Sequence, residues 1–136
     1  MAEILNIKKA LERRLEQITP YIPTGYEAVE FNPPSTMYQR CQFVLKPVVD
    51  PVFNAGYHRE ELEFQVFICD IKGKGTGAAL ARAELLRTTF AKSLSLIEAG
   101  IRIYVLQTPQ IGSAFIATDR VIVPVIISVV AEVSVA

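Results

Sequence analysis

The segment best suited to address a phosphate is Gly73-Lys74-Gly75-Thr76-Gly77, which lies between a strand-like run and a helix-like run. In such a turn backbone N–H groups converge on an anion, and the N-terminus of the following helix adds its dipole. A P-loop needs a glycine followed, after four intervening residues, by Gly-Lys-Ser/Thr, so that the lysine reaches the terminal phosphates and the hydroxyl holds magnesium. Here Gly75 is followed by Thr76 and Gly77, with no Gly-Lys-Ser/Thr in the loop. A dinucleotide fingerprint starting at Gly73 fails as well, because Ala78 stands where its last glycine belongs. The loop therefore reads as a turn with Thr76 as helix N-cap. A small nucleotide-binding enzyme using Gly73 to Gly77 is the rival reading from another class.

The titratable residues assemble no reaction centre. His58 stands beside Arg59, Glu60 and Glu61, but neighbours in a strand point to opposite faces, and no Ser or Cys nucleophile is placed with it. Glu61 and Glu63 share a face, as paired carboxylates do in hydrolases, yet a solvated or subunit-facing strand has the same look. Cys41 and Cys69 sit in strand-like segments and read as buried free thiols of a reducing compartment. Two cysteines and a single histidine do not make a structural zinc site. No catalytic, cofactor-binding or metal residue is expected.

Composition narrows the class. The 136 residues suit one domain, expected over 1–136. Lys plus Arg and Asp plus Glu both number 14 and the basic residues form no run, which disfavours nucleic acid as principal ligand. No stretch reaches the roughly 18 uninterrupted apolar residues of a membrane span. The charged first fifteen residues lack the apolar core of a signal peptide, so the chain reads as cytosolic.

The elements that position these residues follow from periodicity. Ile4, Ile7, Leu11, Leu15 and Ile18 recur at helical steps over Ala2 to Ile18, and Thr19-Pro20 ends that helix. Tyr21 to Pro34 holds three prolines around a short edge-strand candidate, Tyr26 to Phe31. Tyr38 to Val48 alternates Cys41, Phe43 and Leu45 against Arg40, Gln42 and Lys46. Arg59 to Ile71 answers with Leu62, Phe64, Val66 and Ile68 inward and Glu61, Glu63 and Gln65 outward, so an antiparallel pair with opposed basic and acidic faces is expected. Between them Val49 to Tyr57 forms a long tip of the kind that carries binding surfaces. A second helix places Ala79, Ala83, Leu86, Phe90 and Leu94 on one stripe, with Arg82, Glu84 and Arg87 away from it. Gly100 marks its exit, Ile101 to Leu106 starts a third strand, and a Pro109/Gly112 break precedes the last segment. That segment, Val121 to Val135, is apolar on both faces: Val123, Val125, Ile127 and Val129 on one, Ile122, Ile126 and Val130 on the other. A domain this small does not cover both with its own helices, so part of the strand is expected to meet another subunit.

An N-terminal amphipathic helix, a Pro-rich segment with Phe31-Asn32-Pro33-Pro34, two long strands around a tip, a Gly-rich turn into a helix and a closing strand pair follow in that order. Over nearly the whole chain this order, with the stretch from Phe64 through the Ala-rich helix to Val130, resembles the tail terminator proteins of long-tailed bacteriophages, the minor tail protein U-like family. The resemblance implies an α+β fold, a mainly antiparallel β-sheet with two α-helices packed on one face. It also implies a non-enzymatic virion protein: a ring, six-membered in this family, that caps the tail tube, ends its polymerisation and joins tail to head. The implied partners are other copies of the chain, the tail tube protein and a head-completion or connector protein. Membrane and sequence-specific nucleic acid are not among them. The expected station is the virion tail, assembled in the host cytoplasm. The family brings no catalytic motif, so the expected contact residues come from this chain: Val52, Phe53 and Tyr57 at the tip, Arg40, Glu61 and Glu63 on the strand pair, and Ile126 and Val130 on the closing strand. A connector adaptor of the phage neck and a monomeric binding module are the structural alternatives.

Overall fold

The computed structural model describes residues 3–48 and 56–134. The first helix, α1, runs Glu3–Glu16. Its buried face, Ile7, Ala10, Leu11 and Leu15, continues to Ile18 just past its end. The strands follow as β1 Thr24–Gly25, β2 Tyr38–Leu45 and β3 Tyr57–Ile71. Helix α2, Gly77–Thr89, precedes β4 Ser95–Glu98, β5 Ile101–Val105, β6 Gln110–Ile111, β7 Phe115–Ala117 and β8 Arg120–Ser134.

These strands form one curled mixed sheet in the order β1-β2-β3-β8-β5-β4, with β6 and β7 also paired to β8. Only β1 and β2 run parallel; the other pairs are antiparallel. Strand β8 is the hub, pairing along its whole length with β3 on one side and with β5, β6 and β7 on the other. Alternate residues of β3 and β8 face the two helices: Leu62, Phe64, Val66 and Ile68 meet Val123, Val125, Ile127 and Val129 in the core. Ala79 and Ala83 are fully buried beneath α2, where methyl side chains let the helix lie close on the sheet. The architecture is α+β with both helices on one face.

Several local expectations are corrected. The edge strand is Thr24–Gly25, not Tyr26 to Phe31; Tyr26 starts a turn that Val29 N–H closes on the Tyr26 carbonyl, at 3.2 Å. Helix α2 ends thirteen residues after it starts, and Phe90 is its C-cap, so Leu94 lies outside it. The exit at Gly100 is instead the turn of a β4–β5 hairpin, in which Ala99 and Gly100 both take positive φ. Thr76 occupies the N-cap position, but its hydroxyl makes no capping bond. Arg82 points inward rather than to solvent and donates to the Pro20 carbonyl. The strand pair opposes charge at one place only, Lys46 to Glu63 at 3.4 Å, because the register sets Arg40 opposite Phe67 and Gln42 opposite Gln65.

Pro124 in the middle of a long strand is explained by its neighbours. The N–H and C=O of one residue point to the same side of a strand, and the Pro124 carbonyl accepts from Gly112 N–H at 2.8 Å. Its missing donor therefore falls in the gap between β6 and β7 and costs no ladder bond. The approach is close: a Cβ on Gly112 would stand 2.8 Å from Pro124 Cγ. Gly112→Ala is therefore expected to cost about 1–3 kcal/mol through forced overpacking, read as a lower denaturation midpoint at unchanged slope. An unchanged midpoint would show that β6 shifts freely.

Candidate interaction surfaces

The face of the sheet opposite the helices collects most of the expected contact residues. Glu61 pairs directly with Val130, Gln65 with Ile126, and Glu63 with Ser128, so these side chains form one band across β3 and β8. Val130 is buried among its neighbours, with Tyr104 of β5 opposite it, while Glu61, Glu63 and Ile126 are half-buried. Arg40 lies exposed on β2 of the same face, its guanidinium 5.1 Å from the Phe31 ring and 5.8 Å from Tyr38. Tyr57 opens β3, opposite Ser134. Val52 and Phe53 lie outside the described residues.

This face also holds residues not expected from sequence. Leu106 N–H donates to the Ser128 carbonyl at 2.8 Å, which sets Leu106 beside Tyr104 on the bare face. Ile97 and Phe115 join it through their partners Arg102 and Ile122. Leu106, Ile97 and Phe115 are all exposed. The alternation Arg102, Tyr104, Leu106 was the available signal for one of them.

The groups with reactive potential are dispersed. His58 Nε2 is 3.0 Å from Glu60 Oε2, on the face opposite Glu61 and Glu63. Cys41 and Cys69 lie on opposite faces of the sheet, both free. Burial pushes the Cys41 thiol up to about 12, aided by Glu12 and Glu27, so it stays protonated. Burial raises Cys69 as well. The glycine loop is a turn in which Gly73 and Gly75 take positive φ, 96° and 77°, and Lys72 N–H donates to the Asp119 carbonyl at 3.3 Å. Among the described residues, no group of three or more His, Cys, Asp and Glu side chains is arranged to hold a metal. No described helix is long and apolar enough to cross a membrane.

Helix α1 separates two further surfaces. On one flank Lys8 grips Glu27 at 2.9 Å, and Tyr26 donates to Glu16. Glu27 also accepts from Phe43 N–H at 3.1 Å, so the turn after β1 is fixed to both helix and sheet. Its carboxyl is held below the usual range, chiefly by the Lys8 hydrogen bond. Because the folded pKa is lowered, that tie is present above the ordinary carboxylate range and is lost as pH falls through the lowered value. On the other flank Ala10, Arg13, Arg14 and Gln17 face Leu96 and Glu98 of β4 across an open groove. Arg13 bonds Glu98 at 2.7 Å over it, and Arg14 caps the end of α2 through the Thr89 carbonyl.

The family model described as phage tail terminator protein matches residues 6–128. The chain belongs to the phage tail terminator protein family. Its fold is also that of a solved structure with 22% sequence identity and a TM-score of 0.76, covering 96% of each chain. No curated protein matches the chain. The family is one of structural proteins, so the chain is a structural component of the phage tail and acts through contact with other tail components.

Proposed function

We propose that this chain, folding as a single domain over residues 1–136, closes into a ring of six that caps the finished tail tube. The ring ends tube polymerisation and presents the surface on which the head, through its completion or connector protein, joins the tail. It assembles in the host cytoplasm and performs no catalysis. Family membership across residues 6–128 carries the reading. A second observation supports it: the sheet keeps one face free of helices, and that face holds Ile126, Val130, Leu106 and Phe115 beside Arg40, Glu61 and Glu63. Apolar side chains rimmed by charge are the composition of a protein contact. Val52, Phe53 and Tyr57 belong to the same set of proposed contacts.

The physics is a heterologous contact whose rotation closes instead of running on as a filament. Light scattering across a concentration series, with and without tail tube subunits, tests it. Six copies of a 15.1 kDa chain, about 91 kDa, are expected alone or once tube protein is present. A monomer indifferent to tube protein would sink the proposal.

A further inference from the structure

The two edges of the sheet present main-chain groups to solvent in matching phase. Val105 N–H donates to the Leu94 carbonyl at 3.0 Å and Leu106 N–H to the Ser128 carbonyl at 2.8 Å, so alternate residues of β5 face β4 and β8. By the same alternation Leu96 and Glu98 turn their main-chain groups to β5, while the N–H and C=O of Ser95 and Ile97 point outward. β4 carries neither Pro nor Lys, the residues that blunt an open edge. At the far edge Lys46 N–H donates to the Glu61 carbonyl and Gln39 N–H to the Pro23 carbonyl, both at 3.0 Å, so even residues of β2 face β3 and odd residues face outward. β1 covers that edge at Gln39 and Arg40, and Glu27 holds Phe43 N–H at 3.1 Å. The Phe43 carbonyl and the Leu45 N–H, next along the same edge, have no partner among the described residues.

We infer that β4 of one copy pairs in parallel with the uncovered end of β2 in the next copy, Ile97 bonding the Phe43 carbonyl and the Leu45 N–H. This rests on the ring reading and names the contact that would build it. Four antiparallel steps separate β2 from β4, so both run in one direction, and copies related by rotation about an axis along the strands set them side by side in parallel. In a parallel pair a residue bonds the two residues that flank its opposite number, here Val44. The side-chain faces agree with that register. Val44 is exposed on the helix-free face, as is Ile97, 66% exposed, so the two meet there. Leu45, 58% exposed, lies on the helix face and enters the groove lined by Ala10, Leu96 and Glu98. β7 also has an open edge, but it runs opposite to β4 and its outward residue, Ile116, carries its side chain on the helix face; pairing it with Ile97 would turn the second sheet over. Main-chain bonds supply the affinity of strand addition, and the apolar side chains fix its register. Each copy carries one such edge at either end of the strand order, so the contact is head-to-tail and repeats from copy to copy. The sheet then runs on through the ring, with every helix-free face on the same side.

The test uses Leu45→Pro and Ile97→Pro, each of which removes an outward N–H and no bond within the sheet, measured by light scattering in whichever condition assembles the native protein. Each variant alone is expected to be monomeric with an unchanged thermal transition. Mixed in equal amounts they are expected to form a species of twice 15.1 kDa and nothing larger, because the mixture has one intact β4 edge facing one intact β2 edge. If a proline lowers the thermal transition, Leu45→Lys and Ile97→Lys, at the same exposed positions, repeat the experiment with the same expected outcome. If both variants assemble as the native protein does, or if the mixture stays monomeric, this contact is wrong while the ring stands. If the native protein never assembles, with or without tube subunits, the ring reading falls and takes this contact with it.

Discussion

Phe64→Ala is expected to remove about 3–5 kcal/mol of stability, read as the midpoint of a denaturant transition at unchanged slope. Phe64 is fully buried, with its ring 4.8 Å from Phe43 in a stacked pair and 5.8 Å from Phe90 at an edge. The three rings tie together β2, β3 and the C-cap of α2, which are adjacent only in the folded state. Removing the central ring loses its transfer free energy and leaves a cavity between a sheet and a helix cap, neither of which closes without disturbing other pairs. A domain of this size is stable by about 5–15 kcal/mol, so the loss is a large share of the whole. A change under about 1 kcal/mol would mean the rings repack and the cluster is not a structural centre.

Arg82→Met is expected to act in the opposite direction, raising stability by about 1–2 kcal/mol. Arg82 is 6% exposed, and one amino group donates to the Pro20 carbonyl. Its Nε and Nη2 find no partner among the described residues. Burial alone pulls its pKa down, with no carboxylate opposing it. A guanidinium taken out of water needs an ion partner or a full set of acceptors to offset its desolvation. Methionine fills a similar length with an apolar, adaptable chain. The substitution leaves the Pro20 carbonyl without this donor, which costs about 1 kcal/mol and limits the gain. A fall in the midpoint would show that the remaining donors are satisfied in solution and that the cation is an asset.

Arg82 also marks where sequence reasoning stops. Helical periodicity found the stripe Ala79, Ala83, Leu86 and Phe90, because an apolar repeat is written in the residues themselves. It placed Arg82 outside, because nothing local says that the segment around Pro20 crosses over that side of α2. The long strands were legible for the same reason as the stripe, with period-2 alternation in β2 and β3 and a two-faced apolar run in β8. Short strands were not: β6 and β7 hold two and three residues, too few for a period to register, and they exist because β8 offers them an edge. The same limit hid β4, whose Ser-Leu-Ile-Glu reads as the tail of a helix until Ala99 and Gly100 turn it back on β5. Alternation set Arg40, Glu61, Glu63, Ile126 and Val130 outward. The expected β2–β3 pair put Arg40, Glu61 and Glu63 on one face, and only strand order brings Ile126 and Val130 to it, since β8 lies far from both strands in sequence.

That strand order has a consequence for how the chain is made. Every partner of β8 precedes it in the sequence, and without β8 the sheet falls into β1-β2-β3 and β4-β5, with β6 and β7 left unpaired. A nascent chain on the ribosome therefore holds Leu62 to Ile68 and Ile101 to Val105 uncovered while the residues up to Ser134 are added. At about 5–20 residues per second that interval lasts on the order of several seconds. The sheet closes only after its central strand has been synthesised, so a message broken before Arg120 yields a product with no core to protect it from proteases.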